Sequence, residues 1–102
     1  MSKLRKEDFK PIFERWSVIR NQLEILYKER EKDTHDLMEK GIELLSELFV
    51  LAEGTSPLNY EERFIFVQKN YKSYAAFRQL DELFKETEKK LARRFIMESR
   101  MP

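Results

Sequence analysis

The sequence predicts an all-α protein, an up-down-up-down four-helix bundle with a short third helix. Only two glycines and three prolines interrupt a chain of 102 residues that is rich in glutamate, lysine, leucine and arginine, a composition typical of helices. Apolar residues recur at spacings of three and four, whereas the alternation typical of strands is hard to find. Short connections favour antiparallel neighbours, so we expect one helical domain over residues 1–102.

The first helix is predicted over about residues 9–30, with Asp8 as its N-cap and Pro11 tolerated in its first turn. Its inner face is marked by apolar residues at alternating spacings of three and four. They are Phe9, Ile12, Trp16, Ile19, Leu23 and Leu26. The charged segment "KEREKD", residues 28–33, is the predicted connection to the next helix.

The second helix is predicted over about residues 34–53, with Asp33 or Thr34 as its cap and Gly54 as the glycine that ends it. Apolar residues cover about half of its circumference, at ~100° per residue, so we expect it to be the most buried helix. They are Leu37, Met38, Ile42, Leu44, Leu45, Leu48, Phe49, Leu51 and Ala52.

The third helix is predicted over about residues 60–70, after the loop "GTSPLN". Asn59 and Glu62 have the spacing of a capping box. The inward positions are Tyr60, Phe64, Val67 and Tyr71.

The fourth helix is predicted over about residues 74–98, with Ser73 as its cap. Its apolar positions are Phe77, Leu80, Phe84, Leu91 and Phe95. The segment "NYKS" before it contains no glycine or proline, so one fused helix is the alternative to a break. We favour the break, because a helix over residues 60–98 would span ~58 Å beside partners of ~30 Å.

The composition excludes several classes of protein. A formal charge of +1 makes nucleic acid an unlikely partner, since domains that bind it are usually strongly basic. The chain has no cysteine, which excludes disulfides and fits a cytoplasmic protein. Residues 1–20 lack an apolar core of a signal peptide, and no apolar run approaches the length of a membrane span. We therefore expect no membrane association.

The residue inventory argues against an enzyme. His35 is the single histidine, and its simplest interpretation is a solvated residue near a helix cap. A di-iron bundle needs two Glu-x-x-His motifs, and zinc needs several histidine or cysteine ligands. There is no glycine-rich phosphate loop. We predict no catalytic residue, no metal site and no cofactor.

Two charged stripes mark the outer faces of helices two and four. The acidic stripe is Asp36, Glu39, Glu43 and Glu47; the basic stripe is Lys85, Lys89, Arg93 and Arg100. Each stripe is either a solubilising surface or a docking face of defined sign. In a simple up-down bundle helices two and four are diagonal, so these stripes need not neutralise each other. Antiparallel helices also bring both termini together, which predicts a basic end made by residues 2–6 and 89–94.

Several apolar residues lie on the wrong face for the core. Val18 and Ile25 are seven residues apart and point away from Trp16, and Phe66 points away from the core if Phe64 faces it. Ile96 lies among basic residues. Isolated exposed apolar residues are common, but such residues also form patches for a partner or for a second copy.

Three segments carry a resemblance to a known family. They are "FERW" at 13–16, "MEKGIELL" at 38–45 and "ERFIFVQKNYKSYAAFRQLDELFKETEKKLARRF" at 62–95. With these segments the chain resembles the YpoC-like family, small uncharacterised helical proteins of Bacillus and its relatives. The resemblance implies a cytosolic bacterial protein. It supplies no activity and no catalytic residue.

Taken together, the sequence predicts a non-catalytic helical domain that acts through a protein partner, as an adaptor or a regulatory subunit. The predicted partner-binding residues are Val18, Ile25, Phe66, Lys85, Lys89 and Arg93. A homodimer is left open, because an apolar pair seven residues apart can form a seam. The alternative is a nucleic-acid accessory protein that binds through the basic end.

Overall fold

The computed structural model describes residues 5–52 and 54–99, which form four α-helices and no strand. They are α1 (Lys6–Lys28), α2 (His35–Leu51), α3 (Tyr60–Lys69) and α4 (Tyr74–Ser99). The prediction of an all-α helical bundle is therefore confirmed. Helices three and four are separate, as the length argument favoured.

The ends of the helices show where local sequence signals succeeded and failed. Ser73 caps α4, because its hydroxyl accepts a hydrogen bond from the backbone of Ala76 at 3.1 Å. The prediction of a capping box at the start of α3 is wrong: Asn59 has a left-handed backbone, φ +56°, and its side chain makes no capping hydrogen bond. Asp8 is not an N-cap either, since α1 begins at Lys6 and places it in the first turn. Gly54 does adopt the left-handed conformation that ends helices, with φ +79°.

Ring contacts along α1 and α4 show that these two helices are antiparallel. The ring of Phe9 lies 5.8 Å from that of Phe95, and the indole of Trp16 stacks on Phe84 at 4.3 Å. At the other end of the bundle, Tyr27 stacks on Phe77 at 5.3 Å. The start of α1 and the end of α4 therefore lie at the same end of the molecule, as the even number of helices predicts.

Helices α2 and α4, which are diagonal in an up-down order, also touch. A Cβ on Gly41 of α2 would lie 2.7 Å from Trp16 and 3.0 Å from Leu80 of α4, so the missing side chain lets three helices converge. The short α3 packs on α4, and its Tyr60 and Phe64 rings contact Phe49 of α2. The bundle is therefore compressed along the line between α2 and α4.

The core runs the length of the bundle and contains most of the predicted apolar positions. Its fully buried members are Phe9, Ile12, Trp16, Leu23, Met38, Leu44, Leu45, Leu48, Ala52, Val67, Ala76, Phe77, Leu80, Leu83, Phe84 and Leu91. The main error is Leu51, which was placed on the inner face but is 45% exposed. It is the last residue of α2, where the neighbouring helices no longer cover that side.

Candidate interaction surfaces

A buried carboxylate lies between α1 and α4, at Asp81. Its side chain is 3% exposed, and three donor groups surround it. One oxygen accepts hydrogen bonds from the indole of Trp16 at 3.2 Å and from the guanidinium of Arg20 at 3.0 Å, while the other lies 3.1 Å from the Lys85 ammonium. Burial opposes ionisation here, but these donors outweigh it and hold the pKa of Asp81 below its usual range. Asp81 is therefore an ionised, fully engaged link between helices.

Ion pairs and hydrogen bonds made by arginine and lysine side chains attach neighbouring segments to one flank of α4. Arg63 of α3 donates to both carboxylate oxygens of Glu86, and this pairing lowers the pKa of Glu86. Lys90 donates to the backbone carbonyl of Ser56 at 2.8 Å, and Arg94 donates to the hydroxyl of Thr55 at 2.6 Å. These contacts fix the loop after α2 in place, so the residues concerned have structural roles.

The basic stripe divides into residues with different roles. Lys85 is a half-exposed side chain paired with buried Asp81, four residues earlier, so its charge is used inside the chain. Lys89 and Arg93 are exposed and form no ion pair among the described residues. Arg100, the last member, lies outside the described residues. The predicted docking stripe is thereby reduced to two cations.

The acidic stripe on α2 is fully exposed. Asp36, Glu39, Glu43 and Glu47 have no ion-pair partner in the part of the chain that the structure describes. Lys40 interrupts their charge along the same side, in a hollow that also contains Arg15 of α1. The stripe is a solvated surface of mixed charge near its centre.

The outer face of α1 carries the two apolar residues that the sequence singled out. Val18 is 59% exposed and Ile25 is 56% exposed, so neither contributes to the core. Their neighbours on this face are polar and exposed. They are Glu14, Arg15, Asn21, Gln22, Lys28 and Glu29. Val18 lines a hollow shared with Glu43 of α2, and Ile25 lines one shared with Tyr74 of α4, so these helices flank the face but leave both apolar side chains more than half exposed.

Phe66 on α3 is covered more than Val18 or Ile25. It is 41% exposed, and its neighbour Ile65 is 49% exposed. The two rings of Tyr60 and Phe64 take the inward positions of this short helix, which leaves Phe66 at its edge. Phe66 is thus a boundary residue, with both an inner and an outer contact surface.

An apolar groove between the start of α1 and the end of α4 was missed by the sequence reasoning. It has a volume of about 770 Å³, and Phe13, Leu91 and Phe95 contribute to its apolar lining. Phe13 was not assigned to the core, although it follows Phe9 by four residues and so lies on the adjoining side of the helix. That spacing was the available signal.

His35 is less solvated than expected. It is the first residue of α2, half-buried, with its ring 5.6 Å from that of Tyr71. Its Nδ1 atom has no hydrogen-bond partner among the described residues. No group of three or more potential metal ligands occurs within residues 5–52 and 54–99. The histidine therefore packs as an aromatic side chain against the turn between α3 and α4.

Comparison with known families identifies the chain. The family model described as YpoC-like protein matches residues 6–99 of the chain. The chain belongs to the YpoC-like family. A search of curated proteins and a search of solved structures each gave no match. None of the described helices combines the length and the apolar character needed to cross a membrane.

The three segments that resemble the YpoC-like family meet at one place in the structure. The first supplies Trp16, the second supplies Gly41, and the third supplies Asp81 and Phe84. Trp16 contacts the other three residues: it stacks on Phe84, donates a hydrogen bond to Asp81 and occupies the space beside Gly41. The residues behind the resemblance thus build the centre of the bundle and leave its outer faces undetermined.

Proposed function

We propose that this protein is a non-catalytic adaptor or regulatory domain that binds a protein partner through the outer face of α1. The observation that carries this is the paired exposure of Val18 and Ile25 on one helix face. An apolar strip with a polar border has the make-up of a protein-binding patch. Phe66, Lys89 and Arg93 are secondary contacts on other faces, and Lys85 contributes only the part of its side chain that faces solvent.

The non-catalytic character is supported by how the polar groups are used. Asp81, the one deeply buried carboxylate among the described residues, is bound by Trp16, Arg20 and Lys85, which leaves it little capacity to act as an acid or a base. Cysteine is lacking and the single histidine packs on an aromatic ring. The lack of cysteine also supports a reducing, cytoplasmic compartment.

Affinity capture with surface variants tests the proposal. Tagged protein and the double variant Val18→Ser, Ile25→Ser are used to capture partners from nuclease-treated lysate of the native host at moderate and high salt. We expect a specific protein that binds the unmodified chain, resists high salt and is reduced at least about tenfold by the double variant.

The matched control is Val50→Ser, because Val50, at 78%, is the most exposed large apolar residue within residues 5–52 and 54–99 and lies near the end of α2. A partner lost equally with Val50→Ser binds through general hydrophobicity and contradicts the assignment to α1. A partner retained by the double variant contradicts it as well.

Nucleic-acid binding through the basic end is the second candidate. The contact between Phe9 and Phe95 places the start of α1 beside the end of α4, with Lys89 and Arg93 exposed on α4. Residues 2–4 of the predicted basic end lie outside the described residues. The structure also weakens this candidate, because Lys85, Lys90 and Arg94 are already engaged within the chain. Binding through several phosphates would fall steeply as salt rises. Flat binding, or none at low salt, removes this candidate.

A further inference from the structure

The outer face of α1 has a charge pattern that complements itself. Val18 and Ile25 lie at equal distances from the midpoint between Asn21 and Gln22. Around them are two acidic and two basic residues, one of each sign toward either end of the helix: Glu14, Arg15, Lys28 and Glu29. All four are exposed. Glu14 approaches only Lys10, at 3.9 Å, and the other three form no ion pair among the described residues.

The angular positions divide these charges into two edges. At about 100° per residue, Arg15 and Glu29 lie on one side of the line through Val18 and Ile25, about 60° and 40° from it. Glu14 and Lys28 lie on the other side, at about 40° and 60°. Glu29 keeps its helical position although it is the C-cap, because its backbone N–H donates to the carbonyl of Ile25 at 2.9 Å.

From this we propose that a second copy of the chain covers the outer face of α1, as an antiparallel α1–α1 pair. The inference rests on the proposed function and names the partner of that same surface. A two-fold axis between Asn21 and Gln22, perpendicular to both helices, places each Val18 beside the Ile25 of the other copy. Such an interface is isologous, so each contact occurs twice.

The same axis also pairs the charges. The rotation keeps each edge on its own side, so Arg15 meets the second copy's Glu29 with a difference in height of about one residue, ~1.5 Å. Glu14 meets the second copy's Lys28 in the same way. A parallel pair has its two-fold axis along the helices, which exchanges the edges, so Glu14 would face the second copy's Arg15 and Lys28 would face its Glu29. The charges are matched in either direction, and the two arrangements differ in which residues meet: Arg15 meets Glu29 only in the antiparallel pair.

The narrow strip predicts a weak dimer. Two apolar contacts and four exposed ion pairs bury far less surface than a standard stable interface, and exposed pairs each contribute little. Association is therefore measured by sedimentation equilibrium from about 5 to about 500 μM protein, the range in which weak complexes form. The full chain is used at low salt, where the ion pairs are least screened.

Charge reversal tests the register. Arg15→Glu and Glu29→Arg each turn two attractive contacts into repulsive ones, so each variant alone dimerises about tenfold more weakly. An equimolar mixture of the two variants restores association, because one contact then joins the introduced Glu at position 15 to the introduced Arg at position 29, and the other joins the unchanged Arg15 of one variant to the unchanged Glu29 of the other. Glu62→Arg, an exposed change on α3, which does not adjoin α1, is the matched control and leaves association unchanged.

Cysteine crosslinking tests the direction, since the chain has no cysteine of its own. Asn21→Cys lies beside the axis and forms a disulfide-linked dimer on mild oxidation. Glu14→Cys does not, because its two copies are ~22 Å apart in the antiparallel pair. Crosslinking of Glu14→Cys, or failure of the mixture to restore dimerisation, overturns the proposal.

A chain that stays monomeric at about 500 μM also overturns the second-copy proposal. That outcome does not remove the proposed function, which fails only if capture finds no partner dependent on Val18 and Ile25. The two proposals are therefore separable.

Discussion

Two charged regions that share α1 differ in where their partners lie. On the inner side, Arg20 reaches Asp81 at 3.0 Å and Glu24 at 3.3 Å, so its charge is matched within the chain. On the outer side, Arg15 and Lys28 are only a few residues away and form no ion pair among the described residues. Charge type alone therefore does not distinguish residues that stabilise the fold from residues that can bind a partner. The location of the nearest opposite charge distinguishes them.

The largest loss of stability is expected from a substitution at Asp81, on the inner side of α1. Asp81→Asn keeps the shape but removes the charge that Arg20 and Lys85 neutralise, and it turns an amide donor toward one of them. We expect unfolding to become easier by about 2–4 kcal/mol, in the range for disrupting buried, charge-assisted bonds. Urea unfolding followed by circular dichroism measures it. Glu43→Gln, an exposed change of the same chemistry on α2, is the control and changes stability by less than about 0.5 kcal/mol.

The pH dependence gives this prediction its sign. The pKa of Asp81 is lowered in the folded protein, so its contribution is complete above the ordinary aspartate pKa and is lost as pH falls through the folded value. The difference in stability between wild type and Asp81→Asn should therefore be constant near neutral pH and shrink below about pH 4. A difference that stays constant down to pH 3 would show that the cost of Asp81→Asn comes from the amide donor it introduces and not from the lost charge.

A smaller effect is expected at Gly41, the contact that brings α1, α2 and α4 together. Gly41→Ala adds a Cβ 2.7 Å from the Trp16 ring, which cannot withdraw because Phe84 stacks on it at 4.3 Å. Overpacking costs about 1–3 kcal/mol and alanine regains about 1 kcal/mol of helix propensity, so a net loss of up to about 2 kcal/mol is expected. Ser46→Ala, exposed on the same helix, is the control and should be neutral or slightly stabilising. Equal behaviour of the two variants would contradict the packing argument.

The parts of the structure that sequence reasoning captured are those governed by periodicity. The stripe through Phe9, Trp16 and Leu23 identified the inner face of α1, and the same stripe placed Val18 and Ile25 outside. Interactions between distant residues were not accessible in this way. Asp81 has no local signal that distinguishes it from a solvated aspartate, because its donors Trp16 and Arg20 are more than sixty residues away.

Gly41 and Lys85 illustrate the same limit. Gly41 interrupts an otherwise strong helix pattern, and only the position of Trp16 gives a reason for it. Lys85 fits a basic stripe by spacing, yet its pairing with Asp81 depends on that aspartate being buried by another helix. Helix periodicity therefore predicts which face of a helix is exposed. It does not predict whether an outward charge is already paired.

The smallest change in the free energy of unfolding is expected from substitutions on the outer face of α1. Val18→Ser with Ile25→Ser removes two side chains that are each more than half exposed, so the free energy of unfolding at low protein concentration should change by less than about 1 kcal/mol in total. Phe66→Ser should cost more than either single change, about 1–2 kcal/mol, because over half of that residue is covered. Urea unfolding at a few micromolar, where a weak dimer is dissociated, is the measurement. A loss of several kcal/mol from the α1 double variant would mean that Val18 and Ile25 support the fold itself, and the outer face would then have no claim to a partner.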